Sequence, residues 1–277
     1  MAYDNQRSMY EAYARNKYVS TGVIQWMLNN AWPSLIWHLY DYYLVPAGGY
    51  FGTKKSTEIV HVQYDWGTNS VSVINGKYEA LKGYKVTAKL YNVDAREAGS
   101  RDATIELPAD AATKAFDLPT PTKLSTTYFL KLQLHDASGN PVSDNFYWLS
   151  TKSDTMDWKH KKDTVYTPQK DFADLTGLNS LPQVKLDVQA VGTIKAESAA
   201  YTVYVRNPSA SVAFMIHLRA YRLEDSEDVT PVFWSDNYFS LLPGEERTIS
   251  ANFSTSDLHG NHSALKMEGY NIVPHTF

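Results

Sequence analysis

Between Gly22 and Tyr43 the chain reads GVIQWMLNNAWPSLIWHLYDYY, which sets Trp26, Trp32 and Trp37 beside Gln25, Asn29 and Asn30, with no charged residue before Asp41. Indole faces suit the flat C–H surface of a pyranose ring. Carboxamides donate to and accept from hydroxyls without the desolvation cost of a full charge. The mixture has the chemistry of a sugar-binding wall, while composition alone favours the commoner buried aromatic core segment. Other chemistry-bearing residues are scattered. His259-Gly260-Asn261-His262 sets two histidines in a turn but offers no third ligand, where zinc takes three or four. His38 and His217 lie in aromatic or apolar runs and read as packed side chains. No Gly-rich phosphate loop, nucleophile elbow or zinc signature occurs, so neither cofactor nor metal is expected.

The composition bounds the partners. The 277 residues imply about two or three domains, and 43% hydrophobic content supplies ordinary cores. A net charge of -4, with a basic run no longer than Lys159–Lys162, disfavours nucleic acid. With no cysteine, disulfides and thiolate metal sites are excluded. Gln25, Asn29, Asn30, Pro33 and His38 would be stranded in hydrocarbon, so the uncharged stretch is not expected to insert in a membrane. The N-terminus lacks the basic and apolar regions of a secretory signal.

The elements that must position these residues begin with a helix predicted over 2–17. Ala2, Tyr3, Met9, Tyr10, Tyr13 and Ala14 share an arc of about 140°, which places Asp4, Ser8, Glu11 and Arg15 on the polar side. It starts without a capping residue, as in a chain cut inside a larger fold. Val23–Leu28 is a nearly continuous apolar run, the mark of a strand covered on both faces. A second helix is predicted from about Ala47 to Thr57. Helix, buried strand, helix is the grammar of an α/β barrel, but with only about one and a half of eight units this portion must pack on something else.

From Ile59 onward short alternating strands take over, at 61–64, 71–74, 85–91 and 128–134. A polar stretch from about Ser150 to Gln183 interrupts them; Trp158, Tyr166, Phe172 and Leu175 are expected to order it. Strands then resume at 184–188, 201–205, 214–221 and 246–250. Ser143-Asp144-Asn145-Phe146-Tyr147-Trp148-Leu149 is echoed by Ser235-Asp236-Asn237-Tyr238-Phe239-Ser240-Leu241, which points to two copies of one fold. The expected class is mainly β: two immunoglobulin-like β-sandwiches preceded by a short α/β fragment of a TIM barrel. The expected units are 1–58 for the barrel piece, 59–152 for one sandwich, 153–183 for a connecting segment and 184–277 for the second sandwich. Trp66, Trp148, Trp158 and Trp234 either line a carbohydrate-binding surface on these sandwiches or pack inside them.

The string Gln25-Trp26-Met27-Leu28-Asn29-Asn30-Ala31-Trp32-Pro33-Ser34, followed by Trp37, Tyr40-Asp41-Tyr42-Tyr43 and Gly48-Gly49-Tyr50-Phe51-Gly52, resembles the last barrel strand and helix of glycoside hydrolase family 2. The Ser-Asp-Asn-aromatic strings and Leu242-Pro243-Gly244-Glu245 resemble the trailing immunoglobulin-like domains of that family. Within it the chain is similar to exo-β-D-glucosaminidases, with β-mannosidases next, since Asn29-Asn30 stands where β-mannosidases tend to have Asn-Asp. The resemblance implies a retaining exo-glycosidase acting on β-linked glucosamine at the nonreducing end of chitosan oligosaccharides, through two glutamates. Neither Glu11 nor Glu58 stands in a catalytic motif, so the catalytic residues are expected upstream of Met1 and the chain alone is expected to be inactive. Trp26 matches the tryptophan that floors the nonreducing sugar subsite. Asn29 and Asn30 follow at the same loop as substrate-binding candidates, and Asp41 is the one acid of the barrel segment able to meet an amino-sugar ammonium. Trp32 and Trp37 are read as packing residues. The resemblance further implies a secreted or periplasmic parent, and a truncated barrel surface would invite self-association. A β-mannosidase fragment and a non-catalytic carbohydrate-binding or immunoglobulin-like interaction module are the alternatives.

Overall fold

In the computed structural model, which describes residues 2–34, 37–163 and 165–277, the chain opens with helix α1 (Ala2–Arg15) and returns, after a long irregular stretch, to helix α2 (Gly48–Ser56). The two cross so closely that a Cβ on Gly52 would stand 2.2 Å from the Tyr3 carbonyl oxygen. Backbone cannot yield as a flexible side chain can, so Gly52→Ala is expected to cost about 1–3 kcal/mol by overpacking. Thermal unfolding reads this directly, and an unchanged Tm would mean that the helices do not pack this way.

Between the helices, Val23–Leu28 departs from expectation. The run enters no strand ladder, and most of it is exposed. A barrel strand takes its hydrogen bonds from neighbouring strands, and the described residues supply none beside it. Leu35 and Ile36 of the same stretch lie outside the described residues.

The first sandwich follows the predicted alternation. Its strands are β1 (Val60–Asp65), β2 (Ser70–Asn75), β3 (Leu81–Asn92), β4 (Glu97–Leu107), β5 (Ala111–Asp117), β6 (Thr127–His135) and β7 (Pro141–Ser150). They form antiparallel sheets in the orders β1-β2-β5 and β4-β3-β6-β7. Val62, Val73, Leu90, Leu130 and Leu132 fill the space between. Every residue of β1 is buried, because its inner face meets this core and its outer face meets α1.

Among its described residues the connecting segment holds only the hairpin of β8 (Thr155–Met156) and β9 (Gln169–Asp171) and two short 3-10 turns. Of the four residues expected to order it, Leu175 packs on the second core while Trp158, Tyr166 and Phe172 are exposed. Leu178 and Leu181 do that work instead, entering the second core.

The second sandwich comprises β10 (Asp187–Ile194), β11 (Ser198–Arg206), β12 (Ala213–Arg222), β13 (Phe233–Trp234), β14 (Phe239–Leu241), β15 (Glu246–Ser254), β16 (Ser263–Glu268) and β17 (His275–Thr276). The sheet orders are β10-β11-β15-β13 and β14-β12-β16-β17. The strand expected at 184–188 starts at Asp187, and Val184 makes only an isolated bridge to Ile272. Both sandwiches are immunoglobulin-like. Trp148, from β7 of the first, packs edge-on against Phe214 of β12 in the second at 5.1 Å, so the two share an aromatic seam. Trp148 and Trp234 are buried and Trp66 and Trp158 exposed.

Candidate functional site

The site is built on the face where α1 meets β1. Residues four apart on a helix rise by about 6 Å and alternate strand residues by about 6.6 Å, so stripes of these periods stay in step. Arg7, Glu11 and Arg15 form such a stripe on α1; His61, Gln63 and Asp65 form the matching one on β1. The Glu11 Oε1 accepts hydrogen bonds from His61 Nε2 at 2.9 Å, Asn145 Nδ2 at 2.7 Å and the Tyr147 hydroxyl at 2.8 Å. Gln63 Nε2 donates to the Glu11 carbonyl at 2.8 Å, and Arg15 pairs with Asp65 at 3.0 Å. Arg7 Nη1 donates to the Asn145 Oδ1 at 2.8 Å, while its guanidinium lies 3.9 Å from the Tyr147 ring centroid. Glu11, assigned to the polar side of the helix, is therefore a buried residue. The hydrophobic arc alone misplaced it, because the surface that covers it is made of donors.

The network continues to α2 and the second sandwich. Glu58 Oε2 bonds His61 Nδ1 at 3.2 Å and accepts from Ser143 Oγ at 2.7 Å. Lys55 Nζ bonds both Glu58 at 2.9 Å and Asp144 at 3.1 Å. Arg247 of β15 then bridges Asp144 and Asp236, the aspartates of the two echoed strings, so the sequence repeat is tied together across the sandwich junction. Asn237 holds both the amide and the carbonyl of Leu218 at 2.9 Å, whereas its counterpart Asn145 holds α1.

These contacts set protonation. Burial opposes charge on His61, but the hydrogen bonds and charges of Glu11 and Glu58 outweigh it and raise the pKa above its ordinary 6.5. Burial would raise the Asp144 carboxyl, yet Arg247 and Lys55 hold it well below the usual carboxylate range. A raised histidine pKa stabilises the fold fully below about 6.5 and loses that contribution as pH rises through the folded value. A depressed carboxylate contributes above about 4 and loses it as pH falls. His61 thus contributes a fall in Tm as pH rises above about 6.5, and His61→Gln is expected to remove much of that alkaline decline. An alkaline limb unchanged in that variant would contradict the assignment.

Two glutamates bracketing a histidine would suit acid–base chemistry if substrate could enter. It cannot: the Glu11 residue is 1% exposed and His61 0%. Their geometry serves attachment.

What this attachment presents is the aromatic stretch. Gln25 and Gln6 both donate to the Trp37 carbonyl, at 2.8 and 3.1 Å, and the Tyr40 amide donates to the Leu28 carbonyl at 3.0 Å. Trp26 is 75% exposed, and Ile24, Leu28, Trp32, Trp37 and Tyr43 are exposed with it. Trp32 and Trp37, expected to pack, find no cover among the described residues. Asn30 is buried, its Nδ2 donating to Ser34, and so shapes the turn around Pro33. Asn29 is exposed, and among the described residues its side chain makes a single 3.5 Å contact, to the Asn30 carbonyl. Asp41 accepts from the Val45 amide at 3.0 Å and closes a local turn. Trp26 and Asn29 therefore share the exposed surface, and Asn30 and Asp41 hold its loops. His262 pairs with Glu224 at 2.6 Å, while His259 occupies a left-handed position after a 3-10 turn. Among the described residues there is no group of three or more His, Asp or Glu side chains fit to hold a metal, and no helix is long and apolar enough to cross a membrane.

A family model described as the exo-β-D-glucosaminidase Ig-fold domain matches residues 164–272, and one described as the mannosidase Ig/CBM-like domain matches 67–152. The exo-β-D-glucosaminidases of Streptomyces avermitilis and Amycolatopsis orientalis are 39% and 40% identical over 99% of this chain. The chain is similar over nearly its whole length to one portion of the exo-β-D-glucosaminidases of glycoside hydrolase family 2. The solved exo-chitosanase of Amycolatopsis orientalis covers 100% of the chain with a TM-score of 0.91 at 39% identity. The chain spans about a third of the length of such glucosaminidases: 31% and 27% of the two sequences and 33% of the solved chain. A β-D-mannosidase from Dictyoglomus thermophilum shares the fold, with a TM-score of 0.64 at 20% identity. The glucosaminidase likeness includes the irregular stretch as well as the sandwiches.

The sequence alone did not point to the Glu11–His61–Glu58 junction. Its signal was present as two polar stripes, one of period four and one of period two, in segments judged separately.

Proposed function

We propose that the chain supplies one wall of the active site and two supporting sandwiches to a retaining exo-glycosidase that removes β-linked glucosamine from the nonreducing end of chitosan oligosaccharides. Residues 1–58 are the last piece of its (β/α)8 barrel. The sandwiches at 59–152 and 184–277, joined by 153–183, carry that piece through the Glu11–His61 junction. The observation behind this reading is the likeness to exo-β-D-glucosaminidases over 99% of the chain, combined with an uncovered aromatic run where a barrel would continue. The Amycolatopsis exo-chitosanase has been solved in complex with PNP-β-D-glucosamine, which makes an amino sugar the ligand to test first.

In this reading Trp26 stacks on the nonreducing sugar, Asn29 reaches a hydroxyl, and Asn30 fixes the loop that carries both. The nucleophile and the acid/base come from the remaining two thirds of the enzyme, and the parent works outside the cytoplasm. The exposed run seats on the rest of the barrel and is one surface open to self-association in the isolated chain. Purified chain should release no p-nitrophenol from PNP-β-D-glucosamine above background. Enzyme-like turnover by the chain alone would overturn the placement of the carboxylates elsewhere.

A further inference from the structure

Strand β10 pairs with β11 on one side and, among the described residues, with no strand on the other. An open edge of this length is ordinarily blunted by charge, proline or a bulge. The edge strand β4 of the first sandwich follows that rule, with Glu97, Arg101, Asp102 and Glu106, while β13 and β17 are only two residues long. By contrast, β10 runs for eight residues with no charge between Asp187 and Lys195. Val191 and Ile194 on it are 62% and 59% exposed.

The main-chain geometry states which groups are free. The Lys195 amide donates inward to the Ser198 carbonyl at 2.8 Å, so by alternation Val188, Ala190, Gly192 and Ile194 direct their amides and carbonyls outward. A two-fold antiparallel pairing about Val191 matches outward residues with outward ones: Val188 with Ile194, Ala190 with Gly192. The same register sets Asp187 of each copy opposite Lys195 of the other. Both side chains are exposed, and among the described residues neither makes an ion pair. We propose that β10 is a self-association edge, occupied by β10 of a second copy of this chain in that register. A closed two-fold contact of this kind uses one patch twice and joins the β10-β11-β15-β13 sheets of the two copies into one. It stands apart from the glycosidase reading and from the aromatic face around Trp26.

The chain contains no cysteine, so a single thiol reports the register. Val191 lies on the two-fold axis as a non-hydrogen-bonded pair, with Cα atoms about 4.5 Å apart, within disulfide reach. Oxidised glutathione should convert Val191→Cys to a covalent dimer at micromolar protein, while Gln189→Cys and Thr193→Cys, displaced along the strand, remain monomeric. Sedimentation equilibrium supplies the second reading. Asp187→Lys should weaken the dimer tenfold or more, and Asp187→Lys with Lys195→Asp should restore it. Association through the aromatic face would be indifferent to that reversal. The proposal is overturned if Val191→Cys cross-links no faster than the flanking variants, or if the double reversal fails to recover what the single change lost.

Discussion

Glu11→Ala should destabilise the chain by about 3–5 kcal/mol, the range for removing one partner of a buried charged network. The reason lies in what stays behind. His61, Asn145 and Tyr147 each lose an acceptor within 2.9 Å in a site closed to water, and Arg7 loses a nearby negative charge. Glu11→Gln separates shape from charge. It retains an acceptor oxygen but removes the negative charge that His61 and Arg7 face, so it should fall between wild type and Glu11→Ala. Urea unfolding with fitted midpoints distinguishes the three. The loss should be accompanied by faster proteolysis of residues 2–56, since α1 and α2 are what the network holds. Losses under about 1 kcal/mol for Glu11→Ala would show that the helices are fastened by apolar contacts such as Tyr3 and Phe51 instead.

The sandwich strands were legible because alternation survives wherever one face meets a core, and 61–64, 71–74, 85–91 and 128–134 all fall within observed strands. Helix α1 was legible as a helix and misread as to its face. Hydrophobic periodicity assumes that burial means apolar, and β1 buries His61, Gln63 and Asp65 against Arg7, Glu11 and Arg15. The run Val23–Leu28 failed for a different reason. Its composition is that of a two-sided buried strand, but a strand is a relation between segments, and the segments beside it are not among the described residues. Trp26 was singled out through the family resemblance of its string; the structure leaves its side chain exposed, and its sugar contact is a proposal. Asn30 illustrates the limit: nothing in its sequence distinguishes an amide turned to a sugar from one spent on Ser34.

Trp26→Ala carries the second large effect. In the full enzyme it should reduce kcat/KM by about a hundredfold, on the order of 2.7 kcal/mol of transition-state stabilisation, because ring stacking must persist as the glycosidic bond breaks. In the isolated chain the same change should leave the unfolding midpoint within error, since an exposed indole contributes little packing. Trp32→Ala supplies the comparison. It is exposed on the same run, has no proposed sugar contact, and should affect assembly more than turnover. A fall in stability that matches the fall in activity for Trp26→Ala would return this residue to the core.

The most direct measurement replaces the matching third of the Amycolatopsis orientalis exo-chitosanase with this chain and follows p-nitrophenol release from PNP-β-D-glucosamine. A TM-score of 0.91 over 100% of the chain makes the graft structurally reasonable. The folded chimera should hydrolyse the substrate, and its Trp26→Ala form should lose about two orders of magnitude in kcat/KM. A chimera that folds with a cooperative melt yet shows no turnover, or one indifferent to Trp26→Ala, would contradict the claim that this chain furnishes a wall of the glucosaminidase site.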